Sequence, residues 1–145
     1  MDYTFQFSAV FDELPYLLGG ALITLQIAFI TFWAGAVIGI FGAIAKVYGG
    51  ALSRRVTTMY VSFFTNTPAL VQVFLLYYAL PDAGVLLTPM VAVLIGLTLN
   101  AGAYLTEILR AGVVSVRRSE MEAAATLGMS PLQILRHVML PHIAK

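Results

Sequence analysis

Long stretches without an ionisable side chain alternate with short charged interruptions along this chain. No Asp, Glu, Lys or Arg lies between Glu13 and Lys46. A second apolar run covers residues 56–80 and stops at Pro81-Asp82, and a third covers residues 88–110, with charge only in its last turn, at Glu107 and Arg110. A helix needs about 20 apolar residues to cross the hydrocarbon core of a bilayer. The pattern therefore predicts three transmembrane helices, at residues 14–45, 56–80 and 88–110. Thr88-Pro89 opens the third with an N-cap residue and a proline at the first helical position. Gly35, Gly39 and Ala43 put small residues at four-residue spacing, which lets two helices approach closely, although glycine is also common in membrane helices without such a role. Pro68 removes a backbone donor inside the second run and predicts a kink or a helix start there. Thr65, Asn66 and Thr67, directly before it, read either as lining of a substrate path or as a local cap near the interface.

Residues 111–145 break the pattern, being too polar to span and too regular to be an unstructured tail. Ser119-Glu120-Met121-Glu122 matches a capping box and predicts a helix start, with Ala123, Ala124 and Ala125 continuing it. Gly128 suits the left-handed residue after a helix end, and Ser130-Pro131 supplies a second N-cap and first helical position. Leu132, Leu135, Val138 and Met139 then share one face. The expected unit is helix, sharp turn, helix, ending near Pro141.

Composition agrees with a membrane class. Hydrophobic residues make up 60% of the 145, charged residues 10%, and mean hydropathy is +0.90, whereas a soluble domain carries about 25% charged residues. The placement of charge sets the expected direction. All eight Lys and Arg fall at residues 46–55 or from Arg110 onward, while residues 1–13 and 81–87 hold Asp2, Asp12, Glu13 and Asp82 and no cation. Cations near span ends stay on the cytoplasmic side. The expected layout is an extracytoplasmic N-terminus at 1–13, a cytoplasmic loop at 46–55, an extracytoplasmic loop at 81–87 and a cytoplasmic segment at 111–145. A cleaved signal peptide fits poorly, because it needs a basic start and a short apolar core. The absence of cysteine leaves no thiolate metal site, and His137 and His142 read as polar residues near a membrane surface. No Gly-rich phosphate loop is present, so the chain is expected to have no catalytic residues of its own.

Two intramembrane polar positions carry candidate roles. Glu107 and Arg110, three apart on one helix face, are expected to form a structural ion pair. Asn100, deeper in the third run, is a candidate for a polar substrate contact, with an interhelical hydrogen bond the favoured role.

Glu122-Ala123-Ala124, then Gly128, then Val138-Met139-Leu140-Pro141 resemble the EAA loop of permeases in binding-protein-dependent ABC importers, with agreement at each anchor of the spacing. Tyr60-Val61, Thr67-Pro68-Ala69-Leu70-Val71-Gln72 and Leu80-Pro81 are similar to the second span of the polar amino-acid branch of that family, the His/Glu/Gln/Arg/opine branch. Ala103-Tyr104, Glu107-Ile108 and Arg110-Ala111-Gly112 are similar to its third. The sequence departs from that branch at Ser62, Thr65-Asn66 and Ser119-Glu120.

The resemblance implies an all-α polytopic membrane protein with a cytoplasmic helix-turn-helix coupling loop, located in the bacterial cytoplasmic membrane. Family members continue past this loop, so the chain resembles a permease domain truncated after it. The implied partners are a cytoplasmic ATP-binding subunit, an extracytoplasmic solute-binding protein and a second permease subunit within the lipid bilayer; nucleic acid and cofactors have no expected part. Glu122, Ala123, Ala124, Gly128, Leu140 and Pro141 would couple to the ATPase. Rival readings are a fragment of an ion-coupled secondary transporter or a membrane anchor or assembly protein. The first would place paired charges deep in the spans, and the second leaves the patterned tail without a purpose.

Overall fold

The structure, a computed structural model, describes residues 11, 13–139 and 141, with side chains at all of these except 118, 131, 132 and 135. Expectations for residues 1–10, Asp12, Leu140, His142 and Lys145 lie outside the described residues. All regular structure among the described residues is helical. Helix α1 spans Leu14–Tyr48, α2 Ala51–Asn66, α3 Ala69–Phe74, α4 Pro89–Ser115, α5 Arg118–Thr126 and α6 Pro131–Ile134. A π-helical turn, Leu75–Ala79, prolongs α3, and a second, Leu135–Met139, prolongs α6.

At about 1.5 Å per residue, the 35 residues of α1 reach roughly 50 Å, well beyond a hydrocarbon core of about 30 Å. Lys46 does not end this helix. It sits in the last turn, where a cation faces the negative end of the helix dipole. The loop expected at 46–55 accordingly shrinks to the extended pair Gly49-Gly50, with Arg54 and Arg55 inside α2.

The second apolar run is not one straight span. Thr67 and Pro68 are both extended, at φ/ψ of −112°/130° and −56°/136°, and the axes before and after them differ by 107°. Proline disfavours helical backbone in the residue preceding it, so a local kink becomes a full break. Among the described residues two helices, α1 and α4, are long and apolar enough to cross a membrane by length and composition; the bent pair adds a third if it counts as one span.

Helix α4 starts where its cap residues predict. Thr88 Oγ1 accepts a hydrogen bond from the Val91 amide at 3.4 Å, and Pro89 takes the first helical position. The helix then runs five residues past the expected end at 110, to Ser115.

The core lies between α1 and α4. Thr31, Gly35, Gly39 and Ala43 form a buried four-residue stripe on α1, whose glycines face Ala101, Gly102, Leu105 and Thr106 on α4, while Gly96 of α4 faces Val73 of α3. A Cβ at Gly39 would lie 2.6 Å from Leu105 Cβ, and one at Gly35 2.8 Å from Ala101 Cβ. The glycines are there because the two backbones need the space, the close-packing alternative of the sequence reading. The polar members of the seam bond within their own helices, Thr31 Oγ1 to the Ile27 carbonyl at 2.8 Å and Thr106 Oγ1 to the Gly102 carbonyl at 2.7 Å. The outer faces carry Phe29, Trp33, Phe41 and Leu25, each more than half exposed. A soluble protein would hide such surface, and a bilayer accepts it.

Candidate functional site

Polar chemistry concentrates in three places: the break between α2 and α3, an ion-pair cluster between α1 and α4, and the two-helix loop after α4.

At the break, Pro68 deletes the N–H that would have bonded the Phe64 carbonyl one helical turn earlier. An orphaned carbonyl in an apolar setting is unfavourable by roughly 2–7 kcal/mol. Two side chains replace the missing donor. Gln72 Nε2 donates to the Phe64 carbonyl at 2.9 Å and to the Thr67 carbonyl at 2.7 Å. Asn100 Nδ2, from α4, donates to the same Phe64 carbonyl at 3.2 Å and to Gln72 Oε1 at 3.3 Å. Gln72 is only 3% exposed, so its amide is enclosed. Two tyrosines tie the same elements together. Tyr60 Oη donates to the Leu99 carbonyl at 2.6 Å, and Tyr104 Oη to the Thr65 carbonyl at 3.4 Å. Gly102 makes room for the first of these, since a Cβ there would lie 2.9 Å from the Tyr60 hydroxyl.

Among the substrate-path candidates, Asn100 therefore stands in an interhelical hydrogen bond. Thr65 Oγ1 bonds back to the Val61 carbonyl at 2.8 Å and Asn66 Nδ2 to the Ser62 carbonyl at 2.7 Å, while Thr67 contributes its carbonyl to Gln72. Gln72 had appeared in the sequence only as part of a family-like string; its position one turn beyond Pro68 was the available signal.

Glu107 and Arg110 pair as spaced, Arg110 Nε to Glu107 Oε2 at 2.9 Å. A third member comes from α1, where Lys46 Nζ donates to Glu107 Oε1. One carboxylate thus joins the last turn of α1 to α4 about two turns before its end, and the Lys46 side chain, 13% exposed, is the more shielded of the two cations.

The two-helix loop forms with one shift of register. Helix α5 begins at Arg118, with Arg117 extended before it, so Ser119 lies inside the first turn rather than at the cap. The reciprocal capping box stands instead on α6. Ser130 Oγ accepts from the Gln133 amide at 3.4 Å, and the Ser130 amide donates to Gln133 Oε1 at 2.8 Å. This is the same S-x-x-E/Q pattern one element later. Val116, two residues before α5, is buried at 6% exposure.

Gly128 adopts the left-handed conformation at φ 76°. Around it the Met129 amide reaches the Ala124 carbonyl at 3.2 Å and the Gly128 amide the Ala125 carbonyl at 3.0 Å, the paired bonds of a Schellman turn. The turn buries Ala124, at 5% exposure, and leaves Glu122, Ala123 and Leu127 exposed. Ala123, Ala124, Leu127, Met129, Val138 and Pro141 line one shallow groove. The loop thus brings Ala123, Ala124 and Pro141 together, with Glu122 outside the groove lining.

Comparison with known proteins matches this geometry. Residues 35–145 match the family described as binding-protein-dependent transport system inner membrane component. The chain is 38% identical over 140 residues to the probable amino-acid ABC transporter permease protein YckA of Bacillus subtilis (strain 168), covering 97% of this chain and 62% of that protein. It is 34% identical over 139 residues to the glutamine transport system permease protein GlnP of Escherichia coli (strain K12), covering 94% of this chain and 64% of that protein. The chain thus spans somewhat less than two thirds of the length of these relatives. A crystal structure of an amino acid ABC transporter with histidines superposes with a TM-score of 0.85 at 30% identity, covering 98% of this chain and 66% of that one. The MetNI methionine ABC transporter, in inward-facing conformations, shares the fold at a TM-score of 0.65 and 20% identity, covering 91% of this chain and 64% of that one. With the family pattern matched from the first buried glycine of the α1 seam through the two-helix loop, the chain belongs to the inner-membrane components of binding-protein-dependent transport systems.

Proposed function

We propose that the chain is part of a permease subunit of an ABC importer that moves polar amino acids delivered by a solute-binding protein, with ATP hydrolysed by a separate subunit. The observation that carries this reading is the two-helix loop. A Schellman turn at Gly128 fixes α5 against α6, buries Ala124 and presents Glu122, Ala123 and Leu127 outward. Short rigid helices with small exposed residues suit transmission of motion to a partner that approaches closely. Glu122, Ala123, Ala124, Gly128, Leu140 and Pro141 are the proposed contact with the ATP-binding subunit, and a second permease subunit completes the path. The substrate class is supported by the likeness to relatives named for amino-acid and glutamine transport. The two-helix loop is assigned to the cytoplasm and the N-terminus to the outside on the one-sided distribution of Lys and Arg.

Reconstitution tests the function. The permease, its ATPase and its binding protein in proteoliposomes should take up a labelled polar amino acid only with ATP and the loaded binding protein. Uptake driven instead by an ion gradient without ATP would overturn the reading. Cysteines in place of Met129 and Ala83 test the topology in intact cells, where an impermeant thiol reagent should label Ala83→Cys and spare Met129→Cys.

A further inference from the structure

We propose that Gln72 is a positioning residue for transport, its enclosed amide acting with Asn100 as the latch that fixes the 107° bend between α2 and α3. This rests on the reading of the chain as a permease subunit, but the latch itself is argued from geometry. Pro68 makes the break permissible without setting its angle, because an extended Thr67-Pro68 pair can join two helices in many directions. The direction is set by what holds the freed carbonyls.

Gln72 sits on the first turn of α3 and reaches back over the break to the Phe64 and Thr67 carbonyls, at 2.9 and 2.7 Å. It thereby fixes α3 against the end of α2. Asn100 reaches in from α4 to the Phe64 carbonyl and to Gln72 Oε1, which fixes both against the helix that packs on α1. The Gln72 amide therefore meets three partners on two other segments while being 3% exposed. An apolar side chain of equal length would fill the space, take the side-chain donor from the Thr67 carbonyl and leave the Phe64 carbonyl with Asn100 alone. Such burial of an unpartnered acceptor is unfavourable, and the bend should open to let water or another donor reach it. The segment beyond the break carries Tyr77, Tyr78 and the π-helical turn, so a wandering bend would move all of these relative to α4.

The variant is Gln72→Met in the assembled transporter. Spin labels at Leu52 and Tyr78, both well exposed, report the angle by pulsed electron resonance, and this sequence has no cysteine to interfere. Twenty-six residues of unbroken helix would separate the two backbones by about 39 Å; the bent arrangement holds them far closer. The latch predicts a narrow, short distance distribution for wild type and a broad one shifted to longer distances for Gln72→Met. It also predicts a fall in maximal uptake on the order of tenfold, the loss of one buried hydrogen bond from the competent state. The concentration of loaded binding protein giving half-maximal uptake should stay unchanged.

A merely structural glutamine would lower the amount of folded protein without changing the distances within it. If Gln72→Met does not insert, Asn100→Leu removes the other donor to Phe64 and is read the same way. Unchanged distances in folded variant protein would overturn the latch, and so would a broadened distribution with wild-type maximal uptake. Failure of the wild-type protein to import any amino acid would instead overturn the functional reading and leave the distance result standing.

Discussion

The seam between α1 and α4 is built from side chains that are absent, whereas the break between α2 and α3 is built from side chains that stand in for an absent backbone donor. In the seam, Gly35 and Gly39 bring two complete helices close enough that a single added carbon would collide with Ala101 or Leu105. Its contacts are dispersive and non-directional, and they tolerate nothing larger. At the break, Gln72, Asn100, Tyr60 and Tyr104 donate to carbonyls at 2.6–3.4 Å. These bonds are directional, and each can be lost without a collision. A membrane protein thus gains rigidity from shape in one region and orientation from hydrogen bonding in the other. The second kind of region is where a conformational cycle can act with least disturbance to the rest.

Substitutions can break or sharpen this contrast, and the largest effect is expected in the seam. Gly39→Leu should lower stability by more than about 3 kcal/mol, beyond the usual overpacking range, because the obstacle includes Leu105 backbone. Gly20→Leu, on the same helix but with open space around the glycine, should be close to neutral. Thermal unfolding in detergent reads both, and equal midpoints would remove the shape-based account of the seam.

Next comes the Glu107 carboxylate that joins the last turn of α1 to α4. Glu107→Gln should lose about 1–3 kcal/mol, less than a fully buried pair because Glu107 and Arg110 are each about one third exposed. Within that triad, Lys46→Met should lower the melting midpoint more than Arg110→Met, following the deeper shielding of Lys46. The reverse order would show that the α1 contact matters less than the pair within α4.

Asn100→Leu should follow at roughly 1–2 kcal/mol, since Phe64 retains one of its two donors. It should impair transport more than Val91→Leu, whose side chain is exposed. Equal, wild-type-like uptake by the two would deny Asn100 a special place. Smallest of all, Tyr104→Phe removes a 3.4 Å contact on an exposed residue and should stay within about 0.5 kcal/mol, as the same unfolding measurement will report.

What could be read from the sequence was what neighbouring residues decide among themselves. Thr88-Pro89 caps a helix through an amide three residues away, and Gly128 turns the chain through bonds to Ala124 and Ala125, so both were visible as local patterns. The stripe of Gly35, Gly39 and Ala43 was visible too, though only the facing helix distinguishes close packing from ordinary glycine abundance. What escaped needs distance in the chain or a direction in space. Lys46 meets Glu107 across 61 residues. Gln72 acquires its role only once the break aims its amide backward. The capping box read at Ser119 did not mark the cap, because α5 starts at Arg118 and puts Ser119 in its first turn, while the reciprocal pair at Ser130 and Gln133 was read only as an N-cap. Pro68 announced an interruption, but not a change of direction as large as 107°.

The most direct test of the coupling role is Gly128→Val in the transporter reconstituted with its ATPase and binding protein. A Cβ at Gly128 meets no atom within 4 Å, so the substitution adds backbone strain of about 1–2 kcal/mol at a left-handed residue and no collision. The spans are untouched, and the membrane level should equal wild type. The turn that aims Glu122 and Ala123 should be lost, weakening association with the ATPase, abolishing uptake and leaving ATP turnover unresponsive to the loaded binding protein. Uptake at the wild-type rate by Gly128→Val would contradict the assignment of this loop as the coupling element.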